Sequence, residues 1–204
     1  HHAPRYIVNA AAYTAVDKAE QEPDLAQAIN ATAPGIMAAE AKSLGATMVH
    51  YSTDYVFNGQ SAQPYKESDA TDPLSVYGRS KRDGDIQVMA QAGTYFIFRS
   101  SWVVGVHGGN FLKTMLRLAQ ERDSLSVVAD QHGVPTSARW MAQVTREALQ
   151  NPQHAALSGL YHLSNAGRTT WHGYAQYVLA QAVQMGWQLK TKPEDVKAIG
   201  TSDY

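Results

Sequence analysis

Thr47-Met48-Val49-His50-Tyr51-Ser52-Thr53-Asp54-Tyr55-Val56-Phe57, followed beyond a polar stretch by Ser75-Val76-Tyr77-Gly78-Arg79-Ser80-Lys81, decides how this chain is read. The first run is short and β-rich over Thr47–Ser52, as strands covered on both faces are, and it ends in hydroxyls. The second opens a helix predicted to run from near Ser75 to Ala90. On a helix, positions i and i+4 share a face, so Tyr77 and Lys81 project into one cleft behind the strand end. A phenol and an ammonium so placed, with a hydroxyl nearby, form a proton-donating device suited to carbonyl reduction.

Outward from this unit, apolar runs alternate with helical segments. Tyr6-Ile7-Val8 is the first strand, running into the small residues Asn9 to Ala12. Helical signals cover 24–30 and 30–44, with Asn30 as N-cap of the second helix, Pro34 in its first turn and Gly45 ending it. Asn58 to Pro73 is a long polar loop, and Tyr95–Phe98 is a strand continuing into Ser100–Val104. A Gly-rich turn (Gly105, Gly108, Gly109) precedes a helix over Asn110–Gln120. Strands at Leu125–Val128 and Leu160–Leu163 alternate with helices at Ser137–Leu149 and Thr170–Met185. This is the pattern of an α/β fold, a Rossmann-like doubly wound parallel sheet.

The bulk numbers exclude several classes. The chain has 204 residues, a formal net charge of -1 and no cysteine. Near-neutral charge leaves no basic footprint for nucleic acid, and no apolar run approaches a membrane span. Without cysteine there are no disulfides, thiolate metal sites or cysteine nucleophiles. None of the 8 histidines falls in a ligand motif. With no export signal pattern, a cytoplasmic location is expected.

A dinucleotide fold normally opens with a strand, a G-x-G-x-x-G loop and a helix. Nothing before Tyr6 supplies that loop, and the Gly105–Gly109 cluster has the wrong spacing. The expectation is therefore a portion of a longer protein, lacking at least one βαβ unit at its front. Residues 1–130 are read as the remainder of the dinucleotide-binding domain. Residues 131–204 are read as mainly a small C-terminal substrate lobe, with interleaved elements.

Asn9-Ala10-Ala11-Ala12-Tyr13-Thr14-Ala15-Val16-Asp17-Lys18-Ala19-Glu20 resembles the N-A-A-A-x-T-x-V-D-x-A-E segment of dTDP-4-dehydrorhamnose reductases, extended short-chain dehydrogenase/reductases. The resemblance continues through Ser52–Gly59, Pro73–Lys81, Arg99–Gly105, Gly109–Phe111, Lys113–Arg117, Asp130–Thr136 and Gly159–Leu163. A lone Tyr-x-x-x-Lys is weak, but collinear segments in family order are specific. One departure follows the lysine: Arg82-Asp83-Gly84-Asp85 replaces a Leu-Ala-Gly-Glu-like run. Another is Ser100, where threonine is usual.

The resemblance implies reduction of a 4-keto sugar nucleotide, dTDP-4-dehydro-β-L-rhamnose, by NADPH or NADH, with Mg2+ used by some relatives. It implies Thr53, Tyr77 and Lys81 as catalytic residues. Ala10, Ala11, Ala12, Tyr13 and Ser52, with Tyr77 and Lys81, would line the cofactor. Thr14, Val16, Thr53, Asp54, Tyr55, Trp102 and Asn110 would form the sugar-nucleotide pocket, Asn110 lending a helix N-terminus to the diphosphate. The implied partner is a small molecule, with a homodimer as the assembly to test for. Two alternatives stay open: a non-catalytic regulatory subunit resembling the β subunit of methionine adenosyltransferase, and a related sugar-nucleotide reductase or epimerase.

The chemistry carries an electrostatic expectation. A free phenol has a pKa of about 10. An ammonium about 4 Å away at an effective dielectric near 20 is worth about 4 kcal/mol, which lowers that value by up to roughly three pH units before burial raises it again.

Overall fold

A computed structural model describes residues 3–203. Along the chain lie β1 (Tyr6–Asn9), α1 (Val16–Ala19), α2 (Pro23–Gln27), α3 (Ala33–Ser43), β2 (Thr47–Thr53), α4 (Val76–Gln91), β3 (Thr94–Ser100) and β4 (Val103–Val104). They are followed by α5 (Phe111–Glu121), β5 (Leu125–Val128), β6 (His132–Gly133), β7 (Thr136–Ser137), α6 (Ala138–Gln150), β8 (Gly159–His162), β9 (Thr169–Thr170), α7 (Trp171–Gln184) and β10 (Val196–Ile199). The chain falls into two compact units. One is the chain up to Ser100 with Ala142–Leu163; the other is Ser101–Met141 with the chain from Ser164 onward. The chain crosses between the units at 100/101, 141/142 and 163/164.

The first unit is built on a parallel sheet in the order β1-β2-β3-β8. Side chains alternate between its faces. Met48 packs with Ala38, Ala41, Val88 and Ile97 beneath α3 and α4. On the other face the Tyr51 hydroxyl meets Thr145 of α6 at 2.7 Å, and Tyr6 donates to the Leu149 carbonyl at 3.1 Å. Helices thus cover both faces, the doubly wound arrangement the pattern predicts. Among the described residues no helix is long and apolar enough to cross a membrane.

Asn30 does not cap a new helix. The chain runs without a break from α2 through a π-helical turn, Ala28–Thr32, into α3. The physical reason is Pro34, which has no N–H for the Asn30 carbonyl and whose ring crowds it. A wider turn accommodates both. The released Asn30 carbonyl instead faces α4, where a Cβ at Gly84 would sit 2.1 Å from it. Only glycine permits so close a helix crossing.

The loop after β2 is fastened down. Phe57 stacks on Tyr65 with ring centroids 4.3 Å apart, and Glu67 accepts the His162 backbone N–H at 2.9 Å.

The second unit has three two-stranded sheets, β10-β5, β4-β7 and β6-β9. Its core is Met115, Ala119, Leu125, Val127, Ala175, Leu179 and Val196. The strand expected to continue from β3 to Val104 is broken at Trp102, whose φ is 44°. A left-handed residue cannot propagate a strand. The short pairings β6, β7 and β9 have no counterpart in the sequence reading, because two-residue bridges carry no periodicity, and strand β10 has none either.

Replacing Gly84 by alanine should destabilise the protein by about 1–3 kcal/mol through overpacking against backbone. Gly93→Ala, whose Cβ would meet only Lys42 Cγ at 3.8 Å, serves as the control. Thermal melting of the two variants distinguishes them, and equal midpoints would refute the close crossing.

Candidate active site

Thr53, the last residue of β2, points its hydroxyl into the turn that follows. Its Oγ1 accepts the Tyr55 N–H at 3.2 Å, capping the short 3-10 turn Asp54–Val56. Ser75 caps α4 in the same way, accepting from Gly78 N–H at 3.0 Å. Two caps thereby aim a strand end and a helix start at each other. Gly78 fits because a Cβ there would lie 2.3 Å from the Tyr55 carbonyl. The outcome brings Thr53 and Tyr77 together, the Thr53 hydroxyl favouring the phenolate by hydrogen bonding. Tyr55 packs edge-on against Tyr77 with centroids 5.5 Å apart.

Lys81 lies one turn on and is 2% exposed. Its ammonium donates to the Tyr51 carbonyl at 2.6 Å and lies 3.5 Å from His50 Nε2. Burial pulls its pKa down to about 8, opposed by the nearby Asp85 carboxylate. Burial also pushes the Tyr77 phenol up to about 12. The electrostatic expectation is therefore corrected: in the folded chain desolvation outweighs any lowering by the ammonium, which is turned to a backbone carbonyl. Asp54 is pushed up to about 6, chiefly by burial.

A buried polar network that the sequence reading missed lies under these residues. Asn9 Oδ1 accepts the Ala11 N–H at 3.1 Å, so Asn9 Nδ2 is the donor that faces His50 Nδ1 at 3.1 Å. In a neutral ring the proton then sits on Nε2. Burial, with Lys81 adding to it, drives the His50 pKa down to about 3, so the ring is neutral. His50 Nε2 lies 3.9 Å from Asp85 Oδ1, and Asp85 Oδ2 accepts from Arg99 Nε at 3.0 Å. The Ser52 hydroxyl favours the Asp85 carboxylate but stands outside hydrogen-bond geometry; Ser52 Oγ and Asp85 Oδ1 have no closed partner. Ser52, expected at the cofactor, therefore has its hydroxyl buried beside Asp85. The available signal was polar residues, His50 and Arg99, inside otherwise apolar strands, and Asp85 four residues beyond Lys81.

Ala10, Ala11 and Thr14 are exposed in the loop that leaves the C-terminal end of β1, with Ala12, Tyr13 and Val16 half-buried. Buried Asn30 anchors this loop: its Oδ1 accepts the Tyr13 N–H at 2.8 Å, and its Nδ2 donates to the Tyr13 carbonyl and to Ser80 Oγ, each at 3.0 Å. Ser80 in turn donates to the Tyr77 carbonyl at 2.9 Å. One asparagine therefore ties the small-residue loop to the turn of α4 that bears Tyr77. The Tyr13 hydroxyl is bonded to Glu22 at 2.6 Å.

Trp102 and Asn110 belong to the second unit. Trp102 stacks on Trp171 with centroids 3.6 Å apart, and a Cβ at Gly133 would lie 2.6 Å from its ring. Asn110 caps α5, accepting from Lys113 N–H at 3.1 Å and donating to the Gly105 carbonyl at 2.7 Å. Its side chain is thus committed to its own loop. Among the described residues no group of three or more His, Asp or Glu is arranged to hold a metal ion.

A doubly wound parallel sheet with a Tyr-x-x-x-Lys helix against its strand ends is the architecture of Rossmann-like reductases. The chain belongs to the dTDP-4-dehydrorhamnose reductase family: the family model described as RmlD substrate binding domain matches residues 1–204. It is 49% identical over 205 residues to dTDP-4-dehydrorhamnose reductase of Salmonella typhimurium, covering 98% of this chain and 67% of the relative. The Escherichia coli K12 protein of the same name is 47% identical over the same shares. A crystal structure of the Bacillus anthracis dTDP-4-dehydrorhamnose reductase in complex with NADP superposes with a TM-score of 0.89 at 38% identity, covering 98% of this chain and 67% of that one. The chain thus spans about two thirds of the length of these relatives.

His50 makes stability pH-dependent. Its folded pKa, about 3, lies below its ordinary 6.5, so the unfolded chain binds the extra proton. Stability is full above about pH 6.5 and falls as pH drops towards 3, by on the order of 5 kcal/mol when complete. His50→Asn, whose Oδ1 takes the place of Nδ1 as acceptor for Asn9, should flatten that fall in acid melts of the protein.

Proposed function

We propose that this chain forms the greater part of an NADPH- or NADH-dependent reductase that converts dTDP-4-dehydro-β-L-rhamnose to dTDP-β-L-rhamnose. The observation that carries the reading is the Thr53 hydroxyl at the Tyr77 phenol where β2 ends and α4 begins, with buried Lys81 one helical turn further on. The names of the relatives agree with it.

The residues suit a dinucleotide. Ala10 and Ala11 are small and exposed where β1 ends, so a ligand backbone can approach the strand end closely. Ala10 to Tyr13, with Tyr77 and Lys81, would hold the nicotinamide half; Ser52 would contribute through its backbone. When bound, the nicotinamide supplies hydride to the carbonyl carbon. The proton for the carbonyl oxygen comes from Tyr77. With a pKa near 12 the phenol is fully protonated at neutral pH, and a forming secondary alkoxide is basic enough to take its proton. Thr53 and the Lys81 ammonium then stabilise the phenolate left behind. Thr14, Val16, Asp54 and Tyr55 would serve the sugar nucleotide from the first unit; Trp102 and Asn110 belong to the second, where the Asn110 side chain is bonded within its own loop. No group of three or more His, Asp or Glu among the described residues is arranged to hold Mg2+.

In the full-length protein, Tyr77→Phe should lower kcat by about 10²–10⁴ while the KM for the ketosugar changes little. Steady-state assays with dTDP- and UDP-linked 4-ketosugars, with product analysis, check both the acid and the substrate. Undiminished turnover, or preference for another ketosugar, would reject the reading.

A further inference from the structure

Lys81 and Asp85 are 2% and 0% exposed, and a charge taken that far from water is retained only against a counter-charge. Tyr77, Lys81 and Asp85 follow one another at i, i+4 and i+8 along one face of α4. The Lys81 Nζ at 3.5 Å and the Asp85 Oδ1 at 3.9 Å flank the same ring nitrogen, His50 Nε2. Because His50 Nδ1 accepts from Asn9, that nitrogen carries hydrogen and cannot accept from the ammonium. The groups facing the pair are His50 and Arg99 from the sheet and Tyr77 on α4, with Asp54 and Tyr55 beyond the phenol. Of these, Asp85 is the group that raises the Lys81 pKa against burial; burial raises the Asp85 carboxyl as well, and Ser52 and Arg99 oppose that rise.

We propose that Asp85 is a positioning residue for proton transfer: its carboxylate, anchored on Arg99, keeps the Lys81 ammonium charged inside the fold. The proposal rests on the reductase reading above, in which the ammonium stabilises the phenolate left by Tyr77.

The test is the pH profile of kcat/KM for the full-length enzyme. Asp85→Asn should move the alkaline limb towards acid by about one pH unit, and Asp85→Glu should leave it near the wild-type position. An unmoved limb in Asp85→Asn overturns the proposal, even if the rate falls at every pH as a purely structural role would give. Removing the carboxylate alone strands Arg99, so the double variant Asp85→Asn/Arg99→Met, which buries no unpaired guanidinium, is measured beside it. Arg99 is not among the groups that shift Lys81, so the double variant should show the same acid displacement, and an unmoved limb there is equally decisive. Tyr77→Phe separates the two ideas. Its inactivity with an unmoved Asp85→Asn limb refutes the role of Asp85 alone, whereas its full activity refutes the reductase reading.

Discussion

The burial of one ammonium organises the first unit. Lys81 sits under the ends of β2 and β3, where desolvation costs a charge dearly and only hydrogen bonds and an anion can offset that. The Tyr51 carbonyl and the Asp85 carboxylate supply them, and Arg99 holds the carboxylate from the neighbouring strand. His50 has to remain neutral for the arrangement to hold, since a third cation in the same space would be repelled by Lys81. The polar residues in these apolar strands are therefore parts of one electrostatic device.

That device is connected to the loop after β1 by two asparagines. Asn9 joins His50 to the Ala11 backbone, and Asn30 joins Tyr13 to Ser80 and so to the turn that bears Tyr77. Asn30 stands buried in the π turn before Pro34, and Gly84 lets α4 pass close to its carbonyl. Backbone irregularity here follows from a single proline and is tolerated through a single glycine. Its consequence is that the small-residue loop and the Tyr-x-x-x-Lys turn keep a common frame.

The second unit is stabilised differently. Its core is apolar side chains of α5, α7, β5 and β10, and an aromatic stack of Trp102, Trp171 and Phe111 takes the place of long strand pairing. Trp102 accepts a left-handed backbone there, against a glycine that leaves room for its ring. Aromatic stacking of this kind offsets the backbone strain of a single non-glycine residue.

By itself the sequence determined the strand and helix order of the first unit, the parallel winding and the i, i+4 placement of Tyr77 and Lys81. Periodicity and spacing are local, so they are legible in one dimension. The family, too, was legible, since its motifs stand in order along the chain. Tertiary structure alone decided that Lys81 is buried, that burial outweighs any lowering of the Tyr77 phenol by the ammonium, and that His50, Asp85 and Arg99 meet beneath them. It also decided that Asn30 is a brace and that strand β3 stops at Ser100. Charge and desolvation depend on what packs against a residue from distant parts of the chain, which no local pattern encodes.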